Sequence, residues 1–304
     1  MRRVYLSIRE DIEQVPEHKS SDHRFAQRLD EIYDLHLVHP CEYDLETLTV
    51  AASYQYEGPE RKRLKQSRHV PEGDLFIIFS DGSNRNRGLD FARREYQFLN
   101  QLKSGGRFHN FFNEPECEEM TLKSGLVELS AANDMVAETR DFSLENLEDM
   151  IGRYGSVVSK PIFGSQMAGV ELFNSPSQVY ERGYDVAFLE ENHVLQEPLV
   201  GDEKRIAIME GEQLFARIHK DRPNPWKKDG KNIIETYEPT DAELEAAKSI
   251  CEDIGAYLAG IDFIGDKINE VNGSGTGVYF KDAISGRYID KTPDLVDYIR
   301  REFC

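Results

Sequence analysis

Positive charge is scarce in this sequence. Its 304 residues carry 37 Lys and Arg against 56 Asp and Glu, a formal net charge of −19. That balance argues against nucleic acid or an anionic membrane as a partner, because phosphate-rich surfaces attract an excess of cations. An anionic substrate would need a local basic pocket. Cysteine is sparse as well. Cys41, Cys117, Cys251 and Cys304 stand apart with no C-x-x-C pair, which argues against a disulfide framework and a zinc site and suits a reducing compartment. No apolar run approaches membrane-spanning length. Met1-Arg2-Arg3 leads straight into the strand-like V-Y-L-S-I, unlike the core of a signal peptide. A soluble, cytoplasmic protein is expected, and a homo-oligomer is compatible with all of this. Long repeats, low-complexity segments and any supported Ser-His-Asp or Cys-His arrangement are also missing.

What is present is a chain long enough for two or three packed subdomains. Arg3–Ile8 reads as a strand, a helix opening at Ser20 or Ser21 buries Phe25, Leu29 and Ile32, and Leu35–Val38 is a second strand. This β-α-β opening implies a small parallel sheet covered on both sides. Leu48–Tyr56 alternates like a strand, whereas the basic run Glu60–Arg68 reads as a solvated loop or, functionally, as a patch for an anionic substrate. The buried strand Asp74–Phe79 delivers S-D-G-S-N-R-N-R-G to a strand's carboxyl end, where α/β sheets bind ligands. A helix over Leu89–Leu102 follows, and the first subdomain, residues 1–117, ends near Cys117.

The remainder, 118–304, divides into a small lid over about 133–195 and a C-terminal part over about 196–304. A helix over Glu118–Leu129 carries Lys123, and Met135–Thr139 is strand-like. Asp141 or Ser143 opens a helix that Gly152 and Gly155 close. The strand Ser156–Ile162 holds Lys160, then come the glycine loop 163–169 and a returning strand at Val170–Phe173. His193–Leu199, Lys204–Met209 and Leu214–His219 are further strands. Residues 219–238 are irregular and charged. Thr240 and Glu243 form a capping box, and the helix behind it packs Leu244, Ala247, Cys251, Ile254 and Leu258 until Gly260 stops it.

The chain is organised around G-I-D-F-I-G-D-K-I-N-E-V-N-G-S-G-T-G, residues 260–277. Two apolar runs flank Gly265-Asp266, the signature of a β-hairpin. A two-residue turn would put Asp262 and Glu270 on opposite faces. A three-residue loop, Gly265-Asp266-Lys267, pairs Ile264 with Ile268 and sets Asp262 opposite Glu270, with Asn272 two residues on. That register is the one expected, although such a loop prefers glycine where Lys267 stands. Facing carboxylates repel unless their charge is offset. Two acids and an amide are hard oxygen ligands that suit Mg²⁺ with a phosphate completing the shell, and the small residues after Asn272 allow backbone to approach anions. The plain alternative is an exposed acidic hairpin.

D-x₇-E-x-N followed by a small-residue loop resembles the metal strand pair of the ATP-grasp ligases, nearest to their bacterial glutathione synthetase and RimK-type branches. The resemblance implies an α/β ATP-grasp fold: an N-terminal parallel-sheet subdomain, a small lid and a C-terminal antiparallel sheet, with ATP between the last two. It implies Mg²⁺ (or Mn²⁺) on Asp262, Glu270 and Asn272. Lys123 and Lys160 match its nucleotide lysines. K-P-I-F-G-S-Q-M-A-G-V resembles its phosphate clamp through Gly164, Ser165, Gln166 and Gly169, with Met167 where a glycine is usual. Gln196, Glu197 and Leu199 resemble the adenine hinge. Glu203, or alternatively Asp202, matches the ribose acceptor, and Arg205 and Arg217 match cations facing the transferred phosphoryl group. Lys227 and Asp229 replace the arginine and asparagine of a further phosphate loop.

The implied reaction is ADP-forming carboxylate–amine ligation through an acyl phosphate, on a small acidic amino acid or peptide that Arg85 and Arg87 would help hold. The D-P-P-x-D signature of glutathione synthetases is absent. The alternatives are an ATP-binding protein without ligase activity and a phosphotransferase using the same site.

Overall fold

The computed structural model describes the chain except residues 1, 8–20, 39–42, 51–52, 58–61, 67, 79–88, 164–167, 221–232, 275 and 304. Gly164, Ser165, Gln166, Met167, Lys227, Asp229, Arg85 and Arg87 therefore lie outside the described residues.

The first sheet has the strand order Lys62–Gln66, Ser53–Glu57, Asp34–Val38, Arg3–Ser7, Gly73–Ile78, Phe108–Phe112. Its last four strands run parallel and the first two pair antiparallel at one edge. Strand alternation divides its side chains between two cores. Val4, Leu6, Leu35, Leu37, Leu75 and Ile77 meet the helices Ser21–Asp30 and Thr292–Glu302. Tyr5, Phe76 and Ile78 meet Phe98, Leu99 and Leu102 of the helix Leu89–Ser104. The final helix thus closes the N-terminal sheet, a long-range contact that local periodicity does not reveal. Residues 62–66 form an edge strand, not the solvated loop that their charge suggested. An edge strand can carry charge because one side of it faces no partner.

The second sheet is antiparallel, in the order Glu171–Phe173, Val157–Pro161, His193–Gln196, Thr139–Asp141. One face packs Val157, Leu195 and Phe173 against Leu147 and Met150 of the helix Leu144–Tyr154. Ser143 caps that helix and Gly155, at φ 76°, ends it. The predicted strand over 135–139 begins later, at Thr139.

The third sheet is also antiparallel, in the order Ile233–Thr236, Glu212–Lys220, Glu203–Met209, Leu258–Ile264, Lys267–Asn272. Ile206, Ala216, Ile261, Phe263 and Val271 lie against Ala247, Ile250 and Cys251 of the helix Asp241–Ile254. The Thr240–Glu243 capping box is present. This helix stops earlier than expected, at Gly255 in the left-handed conformation, and Gly260 lies inside the next strand.

The helix expected over 118–129 is two shorter ones, Pro115–Met120 and Gly125–Ala132. A Cβ on Gly125 would stand 2.2 Å from the Met120 carbonyl oxygen, so only glycine permits this break. Lys123 occupies the turn between the two helices. Cys117 and Cys251 are free and buried. Among the described residues, no helix is long and apolar enough to cross a membrane.

Candidate active site

The hairpin of Leu258–Ile264 and Lys267–Asn272 reaches its expected register by another route. Ile264 pairs with Lys267, which leaves the two-residue turn Gly265-Asp266, and Gly265 has φ 63° at the first loop position. Phe263 pairs with Ile268 and Asp262 with Glu270, so Asn269 is the extra residue of a β-bulge. The three-residue loop was wrong because Lys267 takes a strand position that glycine would not need to fill. The bulge corrects the face that a two-residue turn alone would have reversed. Its signal was in the sequence: Ile268 and Val271 both enter the core although three residues apart.

Pairing carries this register across the sheet. Glu270 faces Asp262, Asp262 faces Arg205, and Arg205 faces Arg217, forming a row across four adjacent strands. Arg205 grips Asp262 with two hydrogen bonds, Nε to Oδ1 at 2.5 Å and Nη2 to Oδ2 at 2.6 Å. Burial opposes charge on Arg205, but Asp262 more than offsets it and raises the pKa. Asn272 Nδ2 donates to Asp262 Oδ2 at 3.0 Å, so the predicted metal ligands do converge. Arg217 differs. Its Nε is buried without a hydrogen-bond partner, and burial followed by the neighbouring Arg205 lowers its pKa. Arg217 as a whole is half-buried, with its guanidinium over the Phe215 and Phe280 rings at 5.9 and 5.4 Å, and among the described residues it pairs with no carboxylate, which leaves donors for an anion.

Two lysines stand near this row, Lys160 on the strand Val157–Pro161 and Lys123 in the turn between two helices. Lys160 is buried, and its Nζ donates to Gln196 Oε1 and, at 2.7 Å, to Asn269 Oδ1 on the bulge. Burial pushes its pKa down to about 7, with Glu270 acting in the opposite direction. Lys123 Nζ lies 3.7 Å from Glu270 Oε1, and its backbone N–H donates to the Ile162 carbonyl at the end of the lid strand.

The hinge residues are placed differently. The Gln196 side chain is fully buried, and its Nε2 donates to Thr139 Oγ1 at 3.1 Å and to the Asn269 carbonyl at 3.2 Å. Its side chain therefore joins lid to sheet. Glu197 Oε1 accepts from the Glu138 N–H at 2.9 Å, and Glu197 lines a cavity of about 480 Å³ with Val136, Thr139 and Tyr154. Leu199 is buried with Ala137 and Ile264. Glu203 points to the same face as Arg205, opposite His219 and Ile264. Asp202 precedes the strand and pairs with Lys220 at 3.1 Å.

Sequence reasoning missed Asn269 and Thr276. The Thr276 carbonyl accepts from Arg205 Nη1 at 3.2 Å. A Cβ on Gly260 would stand 1.7 Å from Thr276 Oγ1, so Gly260 makes a notch for this threonine within the strand. Glycine there signalled a close approach; what approaches is a long-range fact.

Among the described residues, no cluster of three or more His, Cys, Asp or Glu could hold a metal by itself. Asp262, Glu270 and Asn272 nevertheless offer the hard oxygen donors that Mg²⁺ takes when phosphate oxygens complete its shell. The unpartnered Arg217 Nε, on the far side of Arg205 in the same row, suits an anion. The residues fit a magnesium–nucleotide complex.

A parallel sheet, a small antiparallel sheet and a larger antiparallel sheet together have the architecture of the ATP-grasp fold. Comparison with solved structures gives the same answer. The ATP-grasp ligase PsnB, in a complex with a phosphomimetic variant of its minimal precursor, Mg and ADP, aligns over 99% of this chain and 98% of its own at TM-score 0.63 and 15% identity. D-alanyl-alanine synthetase A from Vibrio cholerae aligns over 99% and 98% at TM-score 0.63 and 12% identity. D-cycloserine synthetase DcsG aligns over 90% and 91% at TM-score 0.59 and 13% identity. Comparison with family profiles found no match, and comparison with curated proteins found none.

Proposed function

We propose that this protein is an ATP-dependent, ADP-forming carboxylate–amine ligase that works through an acyl phosphate. The row Arg217–Arg205–Asp262–Glu270 carries the reading, because it lines up two cations and two carboxylates on one half-buried face of the sheet, with Arg217 Nε unpartnered at its end. Asp262, Glu270 and Asn272 would hold Mg²⁺, and Mn²⁺ suits the same donors. The metal offsets charge on the phosphate oxygens when bound. Lys123 and Lys160 contact the phosphates, Glu197 and Leu199 border the adenine, and Glu203 accepts from the ribose. Gln196 belongs to the same hinge through its backbone, and its side chain supports the reading through its bond to Lys160. Gly164, Ser165, Gln166 and Lys227 belong to the same reading through resemblance alone.

A substrate carboxylate oxygen attacks the γ-phosphorus and ADP leaves. An amine then attacks the acyl carbon, loses its proton, and phosphate leaves. Arg217 is the residue we assign to the phosphoryl oxygens, because a half-buried guanidinium with an unpartnered Nε offers forked donors to them. The rest of catalysis is positioning.

The substrate we infer is a small acidic amino acid or peptide, and the branch is the glutathione synthetase and RimK-type one. Structural neighbours support the peptide part, since PsnB is seen with a precursor peptide. The test offers amino acids and short γ- and α-linked peptides with Mg·ATP and hydroxylamine. ADP release together with a trapped hydroxamate is expected. ADP with a phosphorylated product and no hydroxamate would replace the ligase with a phosphotransferase.

A further inference from the structure

We propose that Glu118, acting with Asn113, is a positioning residue that fixes Gly273 and Ser274, and through them Thr276, beside Arg205 and Asn272; the role rests on the nucleotide-site reading above. Glu118 is buried on the helix Pro115–Met120, outside every motif that the sequence offered. Its Oε1 accepts from Asn113 Nδ2 at 2.8 Å, from the Ser274 N–H at 2.9 Å and from Ser274 Oγ at 2.7 Å. The Ser274 hydroxyl also abuts the Ile78 carbonyl, at the carboxyl end of a central strand of the first sheet. A Cβ on Gly273 would stand 2.0 Å from Glu118 Oε2, so glycine at 273 is what admits the carboxylate.

Asn113 completes the arrangement. At φ 52° it takes the left-handed conformation that asparagine tolerates. Its Oδ1 accepts from the N–H groups of Tyr257 and Leu258 at 2.9 and 3.1 Å, and its Nδ2 also donates to the Leu258 carbonyl at 2.8 Å. One buried polar cluster therefore holds the start of the strand bearing Asp262 and the exit of the strand bearing Glu270 and Asn272. Two residues beyond Ser274, the Thr276 carbonyl accepts from Arg205 and its side chain fills the Gly260 notch. Moving Ser274 would move Thr276, and with it the guanidinium that grips Asp262. An apolar side chain would occupy the space of Glu118 with less desolvation. Only an acceptor can bind the amide, the backbone N–H and the hydroxyl together.

The test separates positioning from stability. ADP affinity is measured by calorimetry without divalent metal and again with Mn²⁺, on the wild type and on Glu118→Ala, Glu118→Gln and Ser274→Ala, with melting temperatures recorded. Glu118→Ala is expected to leave metal-free ADP affinity within about twofold and to weaken the Mn²⁺-dependent gain about tenfold or more, the size usual for residues that orient metal ligands. Glu118→Gln keeps an acceptor oxygen and the volume, so it should recover most of the gain, with Ser274→Ala between the two. Parallel loss of both affinities and of melting temperature in every variant would reduce Glu118 to a structural pin and overturn the proposal. So would an unchanged Mn²⁺ gain in Glu118→Ala. If that variant does not fold, Glu118→Gln and Ser274→Ala decide, and a wild-type gain in Ser274→Ala overturns the role. If the wild type binds no ADP, the nucleotide site itself falls, and this role with it. ADP binding with the gain intact in Ser274→Ala removes only the positioning.

Discussion

The two faces of the C-terminal sheet use alternate residues of the same strands and have opposite contents. On one face Ile206, Ala216, Ile261, Phe263 and Val271 close against a helix. On the other, Arg217, Arg205, Asp262 and Glu270 cross the sheet in a row of charge. The strand Leu258–Ile264 is buried along its whole length, so solvent exposure does not distinguish the faces. Pairing does. The apolar face needs only volume and fit, whereas the charged face needs each cation opposite the right carboxylate. A strand with period two lets one segment meet both demands.

The sharpest way to break the separation is Asp262→Asn, which sits in the charged row but is also a buried ion-pair partner. Arg205 would lose its counter-charge, so a stability loss of about 3–5 kcal/mol in denaturant melts is expected together with loss of turnover. Ile261→Ala, one residue away on the other face, should cost about 2–5 kcal/mol and leave nucleotide affinity unchanged while the protein is folded. Equal damage to nucleotide binding would show that the faces are not separable.

Lys160 offers a pH test of the lid side. Burial pushes its pKa down to about 7 from the ordinary 10.5, so the unfolded chain binds the extra proton between those values. Relative to Lys160→Met, the wild type should gain stability as pH rises from about 7 toward 10.5, and the gain should be absent below that window. A flat difference between the two melting profiles would contradict the burial of a strained cation. The smallest effect belongs to the apolar side. Thr240→Ala removes the cap that pairs with Glu243, should cost about 1 kcal/mol, and should leave the charged row untouched.

Local pattern made much of this legible. The capping box at Thr240, the helix stop at Gly155 and the parallel opening of the first sheet follow from side-chain chemistry a few residues apart. The candidate ligands Asp262, Glu270 and Asn272 were visible as a spacing, and their common face was anticipated for the wrong reason. A turn and a bulge that compensate each other give the same parity as one longer loop, and only the three-residue gap between Ile268 and Val271 tells them apart. Glu118, Asn113 and Asn269 were not legible as site residues. Their roles depend on partners up to 156 residues away, such as Ser274, and no local periodicity encodes such pairings. Gly125 and Gly260 were visible as glycines but not as breaks or notches, because what a Cβ would strike is set by tertiary contact.

The charged face as a magnesium–nucleotide site is the centre of this account, and Glu270→Gln tests it most directly. Gln keeps the size of Glu270 and removes the charge that faces Asp262 and Lys123. Calorimetric titration with a non-hydrolysable ATP analogue and Mg²⁺ should show binding by the wild type. In a Glu270→Gln protein with unchanged melting behaviour, the Mg²⁺-dependent part of that binding should be lost, and turnover should fall by roughly 10²–10³-fold, the usual scale for removing one group that stabilises transition-state charge. Binding of equal strength and equal Mg²⁺ dependence in the two proteins would contradict the assignment.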